Sequence, residues 1–424
     1  MKCGTGFIIA APSSGSGKTT ITLGLLRAFN RKGIPVRGAK SGPDYIDPRF
    51  HEAASGAPCF NLDAWAMSPE RITSLAAGDI PLIVEGAMGL FDGAPPDGRG
   101  SVADLARQLK LPVVLVVDAS RIAQSIAPLV LGFAQYDPKV MVAGVILNKV
   151  GSARHETILR RALLPSGLPV LGVIPRRSGI EQPSRHLGLI QAQEHDDLDA
   201  FIEGAADLIV THVDLDLISE LTRSLPDRDF SRKIAPPAQR IAIAQDRAFA
   251  FAYPHLLQDW HEQGAQIEIF SPLNNDPIPA SDFIYLPGGY PELYAAKLAS
   301  SSCFMTSLRA AAKTTQIYGE CGGYMVLGDG LIDAQGTHHE MAGLLRLETS
   351  FQQRKLHLGY RHLNAAQGPF KGQWNAHEFH YASTLSAQGE PLFAAKDAEG
   401  LDLPAMGLTL GNVSGSFAHI IDAA

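Results

Sequence analysis

The chain has few of the residues that would staple it or tie it to a membrane. Only 4 of its 424 residues are cysteine, and Cys3, Cys59, Cys303 and Cys321 are scattered with no C-x-x-C pair. That spacing excludes a disulfide framework and reads as reduced thiols in a cytosolic protein. None of its apolar runs approaches the roughly 18 residues of a spanning helix, so membrane spanning is not expected. The N-terminus lacks a basic stretch followed by a cleavage site, so secretion is not expected either. Positive charge is also in deficit. Lys and Arg number 36 against 43 Asp and Glu, a net charge of −7, which argues against nucleic acid or an anionic membrane as partner and leaves a local basic pocket open. What is present is core material: 46% of residues are hydrophobic and 19% charged. The length suggests about two or three domains, and the composition is that of a cytosolic α/β protein.

The most informative stretch is Ala11-Pro12-Ser13-Ser14-Gly15-Ser16-Gly17-Lys18-Thr19-Thr20, which follows the apolar run Phe7-Ile8-Ile9-Ala10. A buried strand running into a glycine-rich turn and then a helix presents backbone N–H groups and the positive end of a helix dipole to an anion. Gly15 and Gly17 allow close approach to phosphates, Lys18 reaches the outer phosphates, and the Thr19 hydroxyl can sit on Mg²⁺. Ser14, Gly15, Ser16, Gly17, Lys18, Thr19 and Thr20 are therefore the candidate ATP site. Pro12 stands where the strict G-x-x-x-x-G-K-[ST] pattern has its first glycine. The helix shows Ile21, Leu25, Leu26 and Phe29 on one face and should stop near Gly33.

Residues 41–51, Ser-Gly-Pro-Asp-Tyr-Ile-Asp-Pro-Arg-Phe-His, read as a turn-rich loop, neither helix nor strand. Asp44 and Asp47, with Lys40, Arg49 and His51 nearby, suit a site for Mg²⁺ and an anionic substrate, or they cap turns. The apolar run 80–84 ends at Glu85, and a carboxylate at the carboxyl end of such a strand lies on the ligand side of an open α/β sheet. Asp92, on a glycine-flanked loop, is a second acid with a turn-capping alternative. Further apolar strands are expected at 113–117, 142–147 and 170–174, the second ending at Asn148, whose carboxamide can meet a purine edge. Near-continuous apolar strands separated by helix-length segments imply a parallel sheet covered on both faces. A helix begins near His195-Asp196-Asp197, and the polar, proline-bearing stretch 225–237 reads as a linker.

A second strand–helix alternation opens at 241–244, with strands at 267–270 and 283–286, the latter running into Pro287-Gly288-Gly289-Tyr290. The strand Ile317-Tyr318 leads to Gly319-Glu320-Cys321-Gly322-Gly323. A nucleophile on a tight strand-to-helix turn is the elbow arrangement. The helix N-terminus is expected to lower the Cys321 thiol pKa. The N–H groups of Gly322 and Gly289 can form an oxyanion hole. His377-Glu378-Phe379-His380 lacks the i, i+4 spacing of a zinc helix. His419, in an apolar run, is on its own more often structural than catalytic.

Together these motifs resemble one family over nearly the whole chain, the cobyrinic acid a,c-diamide synthases of cobalamin biosynthesis, including the hydrogenobyrinic acid branch. The resemblance rests on A-P-S-S-G-S-G-K-T-T, G-P-D-Y-I-D-P-R-F-H, E-G-A-M-G-L-F-D-G, G-V-I-L-N-K-V-G-S, R-H-L-G-L, P-G-G-Y-P-E-L, G-E-C-G-G-Y-M, H-E-F-H-Y and G-S-F-A-H, in that order. It implies an ATP domain of the dethiobiotin-synthetase type at 1–222, a linker at 223–239 and a flavodoxin-like class I glutamine amidotransferase domain at 240–424. It also implies that Cys321 and His419 release ammonia from L-glutamine. ATP with Mg²⁺ then turns two carboxylates of a corrin polycarboxylate into acyl phosphates that ammonia displaces. Implied roles are Lys18 on phosphates; Thr19, Asp44 and Glu85 around Mg²⁺; Asn148 near adenine; and Asp47 and Asp92 near the reacting carboxylate. The acid that class I enzymes carry two residues after the histidine is Ile421 here, which leaves Asp422 and Glu378 as alternatives. Arg49, Arg176, Arg185 and Arg361 are candidates for the polyanionic substrate, and a homodimer is compatible with the reading. The rivals are the same machinery acting on another tetrapyrrole such as nickel-sirohydrochlorin, and a non-catalytic ATP switch.

Overall fold

The computed structural model describes residues 4–176, 184–185, 188–189, 191–194, 197–227 and 232–424. Residues 186, 187, 195 and 196, within the R-H-L-G-L motif and the expected helix start, lie outside the described residues. The chain divides into two compact units, Met1–Arg232 and Lys233–Ala424.

In the first unit the apolar runs become β1 (Thr5–Ala10), β2 (Arg37–Ser41), β3 (Phe60–Leu62), β4 (Leu82–Glu85), β5 (Val113–Asp118), β6 (Val142–Val150) and β7 (Val170–Pro175). They pair in the order β3-β2-β4-β1-β5-β6-β7, all parallel. The apolar residues Val113–Val117 of β5 are buried throughout, as expected of a strand covered on both faces. Two short strands, β8 (Ser184–Arg185) and β9 (Gly188–Leu189), pair with each other, and β10 (Arg223–Ser224) adds antiparallel to the start of β1. Parallel order places the loops after β1, β4 and β5 at one edge of the sheet, where a ligand is held.

The helix after the glycine loop, α1 (Lys18–Arg31), starts beyond Gly17 at φ 89° and ends against Gly33, whose N–H bonds the Asn30 carbonyl. Its face of Ile21, Leu25, Leu26 and Phe29 is buried in the first core. The helix Leu198–His212, capped by the Asp197 side chain, lies so close that a Cβ on Gly24 would stand 2.5 Å from the Ala205 carbonyl oxygen. Ion pairs Arg27–Asp199 at 3.1 Å and Arg31–Asp207 at 2.6 Å flank that contact.

The expectation of a loop throughout 41–51 is corrected: α2 runs Asp47–Ser55. Pro48 lies in its first turn, where the fixed φ favours the helix and no N–H is needed. Phe50, His51 and Ala54 supply its buried face.

The second unit opens with β11 (Arg240–Ala244), β12 (Gln266–Phe270), β13 (Phe283–Leu286) and β14 (Gln316–Glu320). They join β24 (Val413–Ser416) in the parallel order β12-β11-β13-β14-β24, the flavodoxin-like 2-1-3-4-5 arrangement, with β23 (Leu408–Leu410) antiparallel at the edge. Two further sheets fill the region after residue 330. One holds β15 (Gly330–Ile332), β16 (His338–Glu340), β17 (Arg346–Ser350) and β20 (Ser383–Gln388). The other holds β18 (His357–Ala365), β19 (Gly372–His380), β21 (Phe393–Lys396), β22 (Asp402–Met406) and β25 (Ala418–Ala423). Ile234 is buried in this unit, and its N–H donates to Asp259 Oδ2 at 2.9 Å. Among the described residues no helix is long and apolar enough to cross a membrane.

Gly24→Leu is expected to destabilise the first unit by about 1–3 kcal/mol through overpacking. This would be read as a lower denaturant midpoint, and an unchanged midpoint would contradict the close helix contact.

Candidate active sites

In the first unit the glycine loop closes on itself before it meets any ligand. Gly15 and Gly17 hold φ of 77° and 89°. The Gly17 position admits no side chain, because a Cβ would lie 2.3 Å from Asn148 Nδ2. That amide donates to the Ser16 carbonyl at 2.8 Å, the Ser16 hydroxyl donates to the Ser13 carbonyl at 2.9 Å, and Lys18 Nζ donates to the Met88 carbonyl at 2.6 Å. The loop fronts a cavity of about 630 Å³. Of the residues expected at the nucleotide, Ser14, Gly15, Gly17, Lys18, Thr19, Thr20 and Asn148 line it, whereas Ser16 is turned into the loop. Asn148 uses one amide N–H on the loop and one carbonyl lone pair on the Lys149 N–H. Lys149, a lining residue the sequence did not single out, sits at φ 59° and bridges the Gly15 carbonyl at 3.0 Å and Asp118 at 2.9 Å.

Behind the loop lies a buried charge cluster. Glu85 ends β4 at 1% exposure. Its Oε1 accepts from the Thr19 hydroxyl at 2.6 Å and from Lys40 Nζ at 2.8 Å, and its Oε2 meets His51 Nε2 at 2.7 Å. Lys40 also pairs with Asp47 at 2.5 Å, and His51 Nδ1 lies 3.4 Å from the Cys59 sulfur. Burial alone would push Glu85 up, but Lys40 and His51 hold it well below the usual carboxylate range. Asp47, pushed up to about 7 by burial and by Asp44, is the soft member of the set. Burial would lower His51 too, yet Cys59 and Glu85 raise it to about 10. Lys18 is held down to about 8, first by burial and then by Lys40.

Asp44 serves partly as a turn cap, its Oδ1 accepting from the Ile46 and Asp47 N–H groups at 2.8 and 3.0 Å. Asp92 likewise accepts from the Gly89 N–H at 2.9 Å, although its charge still acts on Lys18. Asp47 Oδ1 is buried without a hydrogen-bond partner, while Asp44, Asp47, Glu85 and Thr19 all line the cavity. Hydroxyl and carboxylate oxygens facing a phosphate loop are the donor set a hard cation such as Mg²⁺ takes. The arginines expected at the substrate are engaged elsewhere: Arg49 with Glu52 at 2.8 Å, Arg176 with the Ser120 carbonyl at 2.7 Å, and Arg361 with Glu378 in the second unit at 2.7 Å. The side chain of Arg185 lies outside the described residues.

In the second unit β14 delivers Cys321 to an elbow at φ 45° and ψ −100°, ahead of the short helix Gly322–Leu327. Its N–H bonds the Ser416 carbonyl at 2.8 Å, and close packing dictates the glycines around it. A Cβ on Gly289 would stand 2.1 Å from the Ala248 carbonyl oxygen, one on Gly322 would stand 3.0 Å from the Gly289 nitrogen, and one on Gly288 would stand 2.3 Å from His419 Cε1. The Gly289 nitrogen therefore abuts the elbow, and the His419 imidazole rests on Gly288. The expected low thiol pKa is corrected. Cys321 is 4% exposed, and burial, then Glu292, pushes the thiol well up, outweighing the Gly322 N–H that favours thiolate. His419 is fully buried and held down to about 3 by that burial, with His377 and His380 adding to it. Thiol and imidazole both rest neutral.

The two acids expected as partners of His419, Glu378 and Asp422, both bond other groups. Glu378 takes a two-pronged Arg361 fork at 2.9 and 2.7 Å and lies 3.1 Å from His380 Nε2, while Asp422 accepts the Ala423 N–H at 2.8 Å. Glu320, which the sequence reading passed over, has Oε2 at 3.6 Å from His419 Nδ1. His357, Glu378 and His380 also come close enough together to suggest a cation. The two imidazoles stack with planes 5° apart, however, so their in-plane lone pairs run side by side and do not converge on one ion.

Residues 7–190 match the CobQ/CobB/MinD/ParA nucleotide binding domain, and residues 240–424 match the CobB/CobQ-like glutamine amidotransferase domain. A hydrogenobyrinate a,c-diamide synthase of Brucella anthropi is 54% identical, the match covering 98% of this chain and 98% of that one. The chain belongs to the hydrogenobyrinate a,c-diamide synthase family. Members from Rhizobium meliloti and Rhodobacter capsulatus are 52% and 48% identical, each over 98% of this chain and over 99% and 98% of their own. Within this family member, Lys149 and Glu320 line or flank the sites without having been assigned from sequence, while Lys40 was placed near the acids without its partner Glu85. The available signal was a charged residue at the end of a strand, used for Glu85 and overlooked for Lys149 and Glu320.

Because burial and Lys40 hold Lys18 down to about 8, polyphosphate binding should raise it and take up about half a proton at pH 8. Affinity for ATP then falls as pH rises above 8. Calorimetry in two buffers of different ionisation heat reads the uptake, and Lys18→Met should abolish both uptake and binding. Proton-neutral binding by the wild type would refute the coupling.

Proposed function

We propose that this chain amidates the a and c acetate carboxylates of hydrogenobyrinic acid, using ATP and glutamine, in cobalamin biosynthesis. It does so in the cytoplasm, through an ATP-dependent part at 1–222 and an ammonia-releasing part at 240–424 joined by 223–239. The observation that carries this reading is the occurrence in one chain of two complementary sites. One is a phosphate loop backed by buried acids, and the other a strained elbow cysteine with a buried imidazole beside its glycine shelf.

A carboxylate is a poor acceptor for ammonia, because its displacement would expel an oxide. In the first unit one carboxylate oxygen attacks the γ-phosphorus of ATP and ADP leaves, giving an acyl phosphate. Ammonia adds at the acyl carbon, and phosphate departs with the C–O bond electrons. Mg²⁺, held by Thr19, Asp44 and Glu85 together with the phosphates, would neutralise charge gathering on the phosphate oxygens. Lys18 and Lys40 add fixed positive charge. Asp47, with a pKa near 7, is suited to take a proton from the attacking ammonia, Asp92 keeps the field at Lys18, and Asn148 braces the loop beside the base.

In the second unit Cys321 Sγ attacks the side-chain carbonyl carbon of glutamine as its proton passes to His419. The Gly322 and Gly289 N–H groups face the oxyanion. The imidazolium returns the proton to the departing nitrogen, ammonia leaves, and water hydrolyses the thioester to glutamate. Burial keeps both thiol and imidazole neutral before glutamine binds.

Cys321→Ala is expected to abolish glutamine-dependent amidation while added ammonia still yields the diamide, with products weighed by mass spectrometry. Loss of both activities, or retention of the glutamine reaction, would refute the division of labour.

A further inference from the structure

Whatever turns the His419 imidazole must replace an acid that is absent two residues further on, where Ile421 stands. We propose that Glu320, the residue immediately before the nucleophile, is the positioning acid for His419. The inference rests on the reading of Cys321 and His419 as the glutamine-hydrolysing pair.

The geometry is specific. Glu320 lies at the end of β14 at 1% exposure. The Tyr285 hydroxyl donates to its Oε2 at 2.6 Å, and the backbone N–H of Ile420, next to the histidine, donates to its Oε1 at 3.1 Å. That second bond fixes the carboxyl to the strand carrying the imidazole, and Oε2 stands 3.6 Å from Nδ1, just beyond hydrogen-bond length. The groups facing the pair are Tyr285 and Tyr318, Cys321, and His377, Glu378 and His380 of β19. Of the two acids expected there, Glu378 is forked by Arg361, and Asp422 accepts the Ala423 N–H.

The chemistry needs an ionised partner on Nδ1. A carboxylate there accepts Nδ1–H, which leaves the Nε2 lone pair free to take the thiol proton and then stabilises the imidazolium. A protonated carboxyl would donate to Nδ1 and place the ring proton on Nε2, the wrong tautomer for a base. Burial pushes Glu320 up to about 8, while Tyr285 and the Ile420 N–H pull the other way. The positioning device therefore engages as pH rises through that value, or when a bound substrate favours the charged form. The same acid precedes the nucleophile on its own strand instead of following the histidine, so nucleophile and positioning group move as one piece.

The test compares wild type, Glu320→Gln and Glu320→Asp in steady-state synthesis with glutamine and, separately, with ammonia. Glu320→Gln should lower kcat with glutamine by roughly a hundred- to ten-thousandfold, with KM for glutamine within about threefold. It should also lose the rising limb of the pH profile near 8 and keep the ammonia-dependent rate. Glu320→Asp, which can still ionise, should fall between the two and keep a rising limb. An unchanged kcat and profile in Glu320→Gln would overturn the proposal. So would equal losses in the glutamine and ammonia reactions, or an Asp variant indistinguishable from the Gln variant, either of which would make the residue a brace for the sheet. Cys321→Ala run alongside separates the two levels: if it retains glutamine-dependent synthesis, the underlying reading fails whatever Glu320 does.

Discussion

Glu85 is a carboxylate with 1% of its surface exposed, and it remains charged because Lys40, His51 and Thr19 meet its two oxygens within 2.8 Å. Removing one member of such a buried set costs about 3–5 kcal/mol, because an uncompensated charge stays behind. Set against the roughly 5–15 kcal/mol of net stability a domain has, that makes the cluster a condition of folding as well as of chemistry. It ties the loop helix through Thr19, β2 through Lys40 and α2 through His51 to a single point at the end of β4. The phosphate loop is therefore held from behind before any nucleotide arrives.

The second unit uses the same residue type at the corresponding place, the carboxyl end of a central parallel strand, and reaches the opposite charge state. Glu85 is met by two cations and is pulled far below the ordinary range, whereas Glu320 is bonded, among the described residues, to a phenol and a backbone N–H and is pushed up to about 8. Position in the sheet supplies burial in both cases. Partners decide whether the proton stays. One glutamate is a permanent charge that organises an anion site, and the other a titratable group beside an imidazole.

Much of this was legible in the sequence where chemistry and local geometry coincide. Gly15-Ser16-Gly17-Lys18-Thr19 beyond the apolar run 7–10 and Gly319-Glu320-Cys321-Gly322-Gly323 after the apolar pair Ile317-Tyr318 both demand a strand, a glycine-rich turn and a helix, and both form that way. Less was legible where burial competes with local signals. Residues 41–51 read as a loop because of the prolines, Gly42 and the aspartates, yet packing of Phe50, His51 and Ala54 makes Asp47–Ser55 helical. The helix-dipole argument for Cys321 has the right sign and loses to desolvation. Lys40 and Glu320 were invisible as partners because their meaning comes from residues 45 and 99 positions away, namely Glu85 and His419, which only the sheet order brings near.

The elbow itself carries a further implication. At φ 45° and ψ −100° residue 321 occupies backbone space that a Cβ resists, a strain of order 1–3 kcal/mol. The surrounding ladder enforces it through the bond from its N–H to Ser416. Glycine at 321 would relax that distortion, so an inert chain should also be the sturdier one. Selection for thermal robustness alone would then favour losing the reactive centre, so stability and reactivity pull residue 321 in opposite directions.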